Sequence, residues 1–297
     1  MLKEAQTQLN TIRDLLRYAV SRFHEAKLVF GHGTTNAYDE AAYLVLHTLR
    51  LPLDTLEPFL DAKLLTSEIN TVLHIIDRRV DLRVPAAYLT NEAWLGDYKF
   101  YVDQRVIVPR SFLHELLQER LSPWLKEPDA VENILELCTG SGCLAVIAAD
   151  QFPQATVDAV DLSTDALAVA RQNVETYGLH ERVRLVESDL TEKLEPKRYD
   201  FIIANPPYVP EASMAQLPRE YRYEPRLALA GGEDGMNIVR RILRQARGYL
   251  KRNGLLFVEV GHERGAVEAA FPEMAFTWIT TSAGDDMVFM LTQDQLP

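Results

Sequence analysis

Cysteine is scarce in this chain, with Cys138 and Cys143 the two examples among 297 residues. That excludes a disulfide-stapled scaffold and suits a reducing compartment. The seven histidines are dispersed without ligand spacing, so no metal is expected. No apolar run approaches the roughly 20 residues that cross a bilayer. The N-terminus has the spacing of an ordinary amphipathic helix, not of a signal peptide, and the expectation is a cytoplasmic protein without membrane contact. Basic charge is also in deficit. With 31 Lys and Arg against 43 Asp and Glu, the net charge of -12 argues against a general nucleic-acid coat, while an acidic surface can still steer a basic protein inward.

What the chain has instead is enough apolar material, 47% of its residues, to bury one large core and a smaller one. Leu9, Ile12, Leu15, Leu16, Ala19, Val20 and Phe23 recur at three-to-four spacing, as do residues from Asn36 to Leu49 and from Thr66 to Leu82. Residues 1–85 are therefore expected to be a helical domain that selects a recipient. Pro85 ends it, and residues 86–108 alternate like strands around Gly96-Asp97, which predicts a linking hairpin. From residue 109 to 297 helical and strand-like patterns alternate. That predicts an α/β fold, a doubly wound, Rossmann-like sheet, closed by an antiparallel pair at Phe276–Thr280 and Met287–Leu291 that brings it to seven strands. The basic run Arg240, Arg241, Arg244, Arg247, Lys251 and Arg252 interleaves with apolar residues and reads as a solvated helix face rather than an RNA stripe.

The most specific motif ends the strand Ile202-Ile203-Ala204, in Asn205-Pro206-Pro207-Tyr208. The lone pair of an amide or aniline-like nitrogen is delocalised, so such a nitrogen attacks weakly unless acceptors hold both hydrogens and aim the lone pair. Asn205 offers a side-chain carbonyl as one acceptor. The main-chain carbonyl of Pro206, fixed by Pro207 and with no competing proline N–H, is the second. Tyr208 offers a flat face to a planar group. These four residues are the candidate catalytic set, and they point to methylation of an amide or amine.

Upstream, the apolar strand containing Glu136 leads into Cys138-Thr139-Gly140-Ser141-Gly142, a Gly-x-Gly turn before a helix of small residues. Glycines there allow a sharp turn close to a ligand. About twenty residues on, the next strand ends at Asp161-Leu162, the spacing expected of an acid that binds ribose hydroxyls. A third strand runs into Ser188-Asp189, where Asp189 can accept from an adenine amine. A dinucleotide would leave Asn205–Tyr208 without a task, whereas S-adenosylmethionine carries no phosphate and has an ammonium that Glu136 can meet. S-adenosylmethionine is the expected cofactor. Its expected residues are Glu136, Cys138, Thr139, Gly140, Gly142, Asp161, Leu162, Ser188, Asp189 and Asn205. The long, weakly periodic stretch from Pro207 to Gly235 is expected to act as a lid over the substrate.

Taken together with Val108-Pro109-Arg110, Asp161-Leu162-Ser163 and Gly231-Gly232-Glu233-Asp234-Gly235, these blocks resemble the HemK-like protein glutamine methyltransferases over nearly the whole chain. The resemblance implies that Asn205 and Pro206 bind a glutamine amide, that Gly140, Gly142, Asp161 and Asn205 line the cofactor, and that transfer is direct, without a covalent enzyme intermediate. Gly31-His32-Gly33-Thr34, Ala87-Tyr88-Leu89-Thr90-Asn91 and Pro109-Arg110-Ser111 tilt the resemblance toward a ribosomal-protein recipient, large-subunit protein L-three. Peptide chain release factors are the alternative recipients. The sibling acting on them follows Pro-Arg with Pro-Asp-Thr-Glu, where this chain has Ser111-Phe112-Leu113-His114-Glu115. DNA adenine methylation is a more distant reading of the same four residues, since it normally needs a basic groove and a target-reading domain; no direct nucleic-acid contact is expected.

Overall fold

A computed structural model describes residues 2–297, which fall into two compact units: one ends at Ala93 and takes in Pro218–Tyr223, and the other comprises Trp94–Leu217 and Glu224–Pro297. The first is helical, with α1 (Leu2–Gln8), α2 (Ile12–Glu25), α3 (Ala37–Leu49), α4 (Thr66–Asp77) and α5 (Ala86–Thr90). Its core gathers the three-to-four residues of the sequence pattern, Ile12, Leu15, Leu16, Ala19 and Phe23 with Leu44, Ile69, Val72 and Ile76. Helix α2 starts three residues later than the apolar spacing implies. Thr11 accepts from the Asp14 N–H while Asp14 accepts from the Thr11 N–H, a reciprocal cap that fixes the start. The Asn36 side chain caps α3 by accepting from the Asp39 N–H, without the reciprocal bond.

Two expectations are corrected in this region. Helix α4 gives way after Asp77 to a wider π-helical turn, Arg78–Leu82, and the chain leaves it at Arg83 with left-handed φ. The alternation from Ala86 is strand only in part: Ala86–Thr90 is helical, and pairing is confined to β1 (Glu92–Leu95) and β2 (Tyr98–Tyr101) around Gly96-Asp97. Val102, Val106 and Val108 are buried but lie outside both strands, because alternation reports a buried side and does not by itself make a strand.

In the second unit the strands are β3 (Asn133–Leu137), β4 (Thr156–Asp161), β5 (Val183–Glu187), β6 (Tyr199–Ala204), β7 (Val209–Pro210), β8 (Ala230–Gly232), β9 (Leu250–Glu259), β10 (Thr277–Thr281) and β11 (Gly284–Thr292). Seven of them form one sheet in the order β10-β11-β9-β6-β3-β4-β5, with β9 to β5 parallel and β11 and β10 antiparallel at the edge. The inner parallel strands carry apolar residues on both faces, as they must when helices cover both, with Glu136, Asp158 and Glu259 as buried acids among them. Ile134, Phe201, Ile203 and Phe257 point to the side of α6 (Leu113–Gln118) and α7 (Cys143–Gln151). Leu135, Leu137, Ile202, Ala204 and Val258 point to the other side, with α10 (Asn237–Tyr249) and Val267 of α11 (Arg264–Ala270). Helix α8 (Thr164–Thr176) follows β4, capped by Ser163.

Chain order runs outward from β3 through β4 to β5, then restarts on the other side of β3 with β6. That reversal, between the carboxyl ends of β3 and β6, is where doubly wound sheets open a ligand crevice. On α10, Val239, Ile242, Leu243 and Ala246 are buried while Arg240 pairs with Asp234 and Arg241 with Asp189, so Arg240 to Arg247 lie on an outer helix face, whereas Lys251 and Arg252, expected on the same face, already belong to β9. Among the described residues no helix is long and apolar enough to cross a membrane. The stretch after Pro207 is not featureless: β7 pairs with β8, and between them lie α9 (Glu211–Met214) and short 3₁₀ turns.

Candidate active site

Sheet register brings the sequence-derived candidates to one edge. Leu137 is the partner of both Val160 and Ala204, so Cys138, Asp161 and Asn205 leave adjacent strands at the same level. A cleft at this edge is walled by Cys138, Gly140, Asp161, Leu162, Ser188, Asp189, Asn205 and Pro207, and on its far side by Val106, Ile107, Pro225, Leu227 and Ala228. Those two outer segments are fastened together. Glu224, buried, accepts from the Val108 N–H at 3.0 Å and from the Arg110 guanidinium at 2.8 Å.

The Asp161 carboxylate accepts from the Gly140 N–H at 2.8 Å and from the Ser163 N–H at 2.9 Å, which ties the Gly-x-Gly turn to the end of β4. Burial raises its pKa, and the hydrogen bonds from Ser163 and Gly140 oppose that rise. Gly140 has no protein atom within 4 Å of where a Cβ would stand, so a side chain there would take up space on the cleft wall. Gly142 is needed for another reason. Its φ is +77°, and a Cβ would come within 3.2 Å of the Ala170 backbone on α8.

Other members of the expected cofactor set lie behind the wall. Glu136 is buried and accepts from the Thr139 hydroxyl at 2.6 Å. Burial pushes its pKa up to about 8, with the Thr139 hydrogen bond opposing. Neither residue borders the cleft, so Thr139 spends its hydroxyl inside the protein. Ser188 is buried at the cleft, its N–H donating to the Asp161 carbonyl and its hydroxyl accepting from the Lys193 N–H. Asp189 reaches the wall with one oxygen in an ion pair with Arg241 at 2.9 Å. Burial pushes the Cys138 thiol far up, which leaves it a neutral packing group.

Of the catalytic candidates, Asn205 and Pro207 border the cleft, Pro206 is buried and Tyr208 is half-buried. The Asn205 NH2 donates to Glu259 at 3.3 Å. No described residue donates a hydrogen bond to the Asn205 carbonyl oxygen or to the Pro206 main-chain carbonyl, so two neighbouring acceptors stand unused at the end of β6. Tyr208 is hemmed in by glycines: a Cβ on Gly231 would stand 2.7 Å from its Cα and one on Gly235 would overlap its carbonyl oxygen, which is the physical content of the Gly231–Gly235 block. Outside that block, a Cβ on Gly261 would stand 2.8 Å from its ring.

The methyltransferase small domain family matches residues 114–217, the stretch that holds the Gly-x-Gly turn, Asp161 and Asn205–Tyr208. Curated relatives extend over the entire length. The ribosomal protein uL3 glutamine methyltransferase of Burkholderia pseudomallei is 60% identical, covering 98% of this chain and 97% of its own. Proteins of the same description from Neisseria meningitidis serogroup B and Bordetella pertussis are each 57% identical over 100% of this chain. This chain belongs to the ribosomal protein uL3 glutamine methyltransferase family. Among solved structures, the catalytic domain of hMettl16 in complex with MAT2A 3'UTR hairpin 6 matches with a TM-score of 0.51 at 14% identity, covering 76% of this chain and 80% of that one. At that identity the likeness is one of fold, a Rossmann-like methyltransferase sheet.

For this uL3 glutamine methyltransferase family member, sequence reasoning missed the back of the site. Glu259, at the end of β9, is buried beside Asn205; Ser111 donates to it at 2.6 Å, and burial pushes its pKa up to about 7 with the Ser111 hydrogen bond opposing. One signal was available, a lone acid in the apolar run Leu255-Leu256-Phe257-Val258-Glu259-Val260. Ser111, where the release-factor pattern has proline, thereby acquires a contact that proline cannot make.

Proposed function

We propose that this protein transfers a methyl group from S-adenosylmethionine to the side-chain amide nitrogen of a glutamine in ribosomal protein uL3. The observation that carries the reading is the pair of unused acceptors, the Asn205 carbonyl and the Pro206 carbonyl, beside a cleft that Gly140 leaves open. A primary amide has two N–H groups to satisfy, and two carbonyls at the end of one strand hold both. The names of the full-length relatives supply the recipient.

The cleft residues fit the cofactor. Asp161 and Leu162 would hold its ribose, Ser188 and Asp189 its adenine, and Cys138 and Gly140 would back it along the turn, while Glu136 stands behind them, bonded to Thr139 and away from the cleft. When bound, the cofactor supplies a methyl group activated on a sulfonium. The chain's own residues orient the substrate amide: Asn205 and Pro206 accept from its hydrogens, Pro207 fixes the Pro206 carbonyl, and Tyr208 presents a flat face. One of the two amide protons leaves only after the new N–C bond has begun to form, so a strong base is unnecessary and the contribution is orientation in a desolvated, acceptor-lined pocket. The segment Pro225–Ala228, clamped through Glu224, serves as a cover for the cleft, and the helical unit selects the recipient.

Labelled cofactor offered with uL3, a release factor or DNA tests the assignment, with mass spectrometry locating the added mass. One methyl on a uL3 glutamine is expected; label on DNA or on the release factor alone refutes the reading. Asn205→Ala should bind cofactor within about threefold of wild type and lose on the order of a hundredfold in turnover. Wild-type turnover in that variant removes Asn205 from the clamp.

A further inference from the structure

We propose that Glu259 is a positioning residue: its buried carboxylate grips the Asn205 NH2 and so turns the Asn205 carbonyl oxygen outward as the acceptor for the substrate amide. The inference rests on the function proposed above and adds a residue that acts through Asn205 without touching the substrate. An asparagine amide has nearly the same shape in two orientations 180° apart, and its partners decide which is adopted. In the wrong orientation Asn205 would present an NH2 to a substrate NH2, donor against donor. The Ser111 hydroxyl and the Leu113 N–H both face Oε2 of Glu259, so Oε1 is left as the acceptor that fixes which way the Asn205 amide turns.

The arrangement is built into the sheet. Val258 is the register partner of Ala204 across β9 and β6, so the next residues, Glu259 and Asn205, emerge side by side. The Glu259 Oε1 accepts from the Asn205 NH2 at 3.3 Å. Its Oε2 accepts from the Ser111 hydroxyl at 2.6 Å and faces the Leu113 N–H at 3.4 Å. Glu259 is 3% exposed and Ser111 is equally buried, so the carboxyl is held from behind and its one remaining oxygen is committed to Asn205. Burying a carboxyl at the end of an apolar strand is costly unless its acceptors are filled, and here the filling includes the residue on which the clamp depends. The same strand end carries Gly261 against the Tyr208 ring, so β9 sets both ends of Asn205–Tyr208.

Three measurements decide it. With uL3 as recipient, Glu259→Met, which keeps the volume and removes both acceptors, should lower kcat by ten- to a hundredfold, about what misplacing one oriented group costs, with the cofactor Kd within about threefold. Glu259→Gln keeps a carbonyl able to accept from the same NH2 and should restore kcat to within about fivefold of wild type. In the unsubstituted protein, asparagine-selective ¹⁵N labelling should show the Asn205 NH2 exchanging with water at least about tenfold more slowly than a solvated amide. Wild-type kcat in Glu259→Met, no recovery in Glu259→Gln, or free exchange at Asn205 each overturns the proposal. Should Glu259→Met fail to fold, the exchange measurement on the wild type stands alone. A wild type that methylates no uL3 glutamine would sink the functional reading, while exchange at Asn205 would still report on its orientation.

Discussion

Gly261→Ala separates the chemistry of the site from its stability. Gly261 follows β9 with φ at +54°, and a Cβ built on it stands 2.8 Å from Cε2 of Tyr208 and 3.0 Å from Cζ and the hydroxyl. Two penalties follow, and they fall on different observables. The left-handed backbone costs a non-glycine residue about 1–2 kcal/mol. That should lower Tm by roughly 3–6 °C for a unit of this size. Carbon atoms settle at about 3.5–4.0 Å, so the ring must also retreat by about 0.7 Å or more, and a displacement of that order at an oriented group costs roughly ten- to a hundredfold in turnover. The assay is methyl transfer to uL3 with kcat and KM resolved, beside cofactor titration and thermal melting. Turnover should fall while cofactor Kd holds, since Tyr208 does not border the cofactor cleft. Gly265→Ala is the control: it lies in α11 with nothing within 4 Å of the new methyl, and should leave turnover intact and stabilise by up to about 1 kcal/mol. Wild-type kcat and Tm in Gly261→Ala would refute the claim that the end of β9 positions Tyr208.

The buried acids give two further tests. For Glu136 the folded pKa, about 8, lies above the ordinary 4.5, so its stabilising contribution is complete below pH 4.5 and is lost as pH rises through 8. Ligand-free Glu136→Gln should match wild type near pH 4 and be more stable at pH 9, by on the order of several kcal/mol, in urea unfolding; a difference that does not change with pH refutes the assignment. Asp158 on β4 is the opposite case. Burial raises its pKa, but hydrogen bonds from Lys197 at 3.0 Å, Tyr199 at 2.8 Å and Arg184 at 2.7 Å outweigh that and hold it below the ordinary value. Its contribution is therefore present above the ordinary carboxylate pKa and lost as pH falls through the lower folded value. Asp158→Ala should cost about 2–3 kcal/mol at pH 7, mainly from the stranded Tyr199 hydroxyl, because Arg184 is half exposed and returns to water. A loss under 0.5 kcal/mol would refute it.

The sequence by itself determined the sheet and its reactive edge. Strands such as Phe201–Ala204 and Leu255–Val258 are apolar on both faces and must be covered by helices on both sides, which announces a parallel sheet. The turn after β3, Asp161 at the end of β4 and Asn205–Tyr208 after β6 are local signals, each legible within a few residues. The tertiary structure decided what neighbours do to one another. Glu259 became the partner of Asn205 through the register of β9 on β6, a relation between residues 54 apart that no local pattern encodes. Glu136 turned to Thr139 and not to the cleft, and Gly142 proved to be a packing contact with Ala170, because burial by other elements sets where a side chain can point. The helical turn at Ala86–Thr90 within an alternating stretch has the same cause. A periodic pattern states which side of a segment avoids water, and only the assembled fold supplies the partner it meets there.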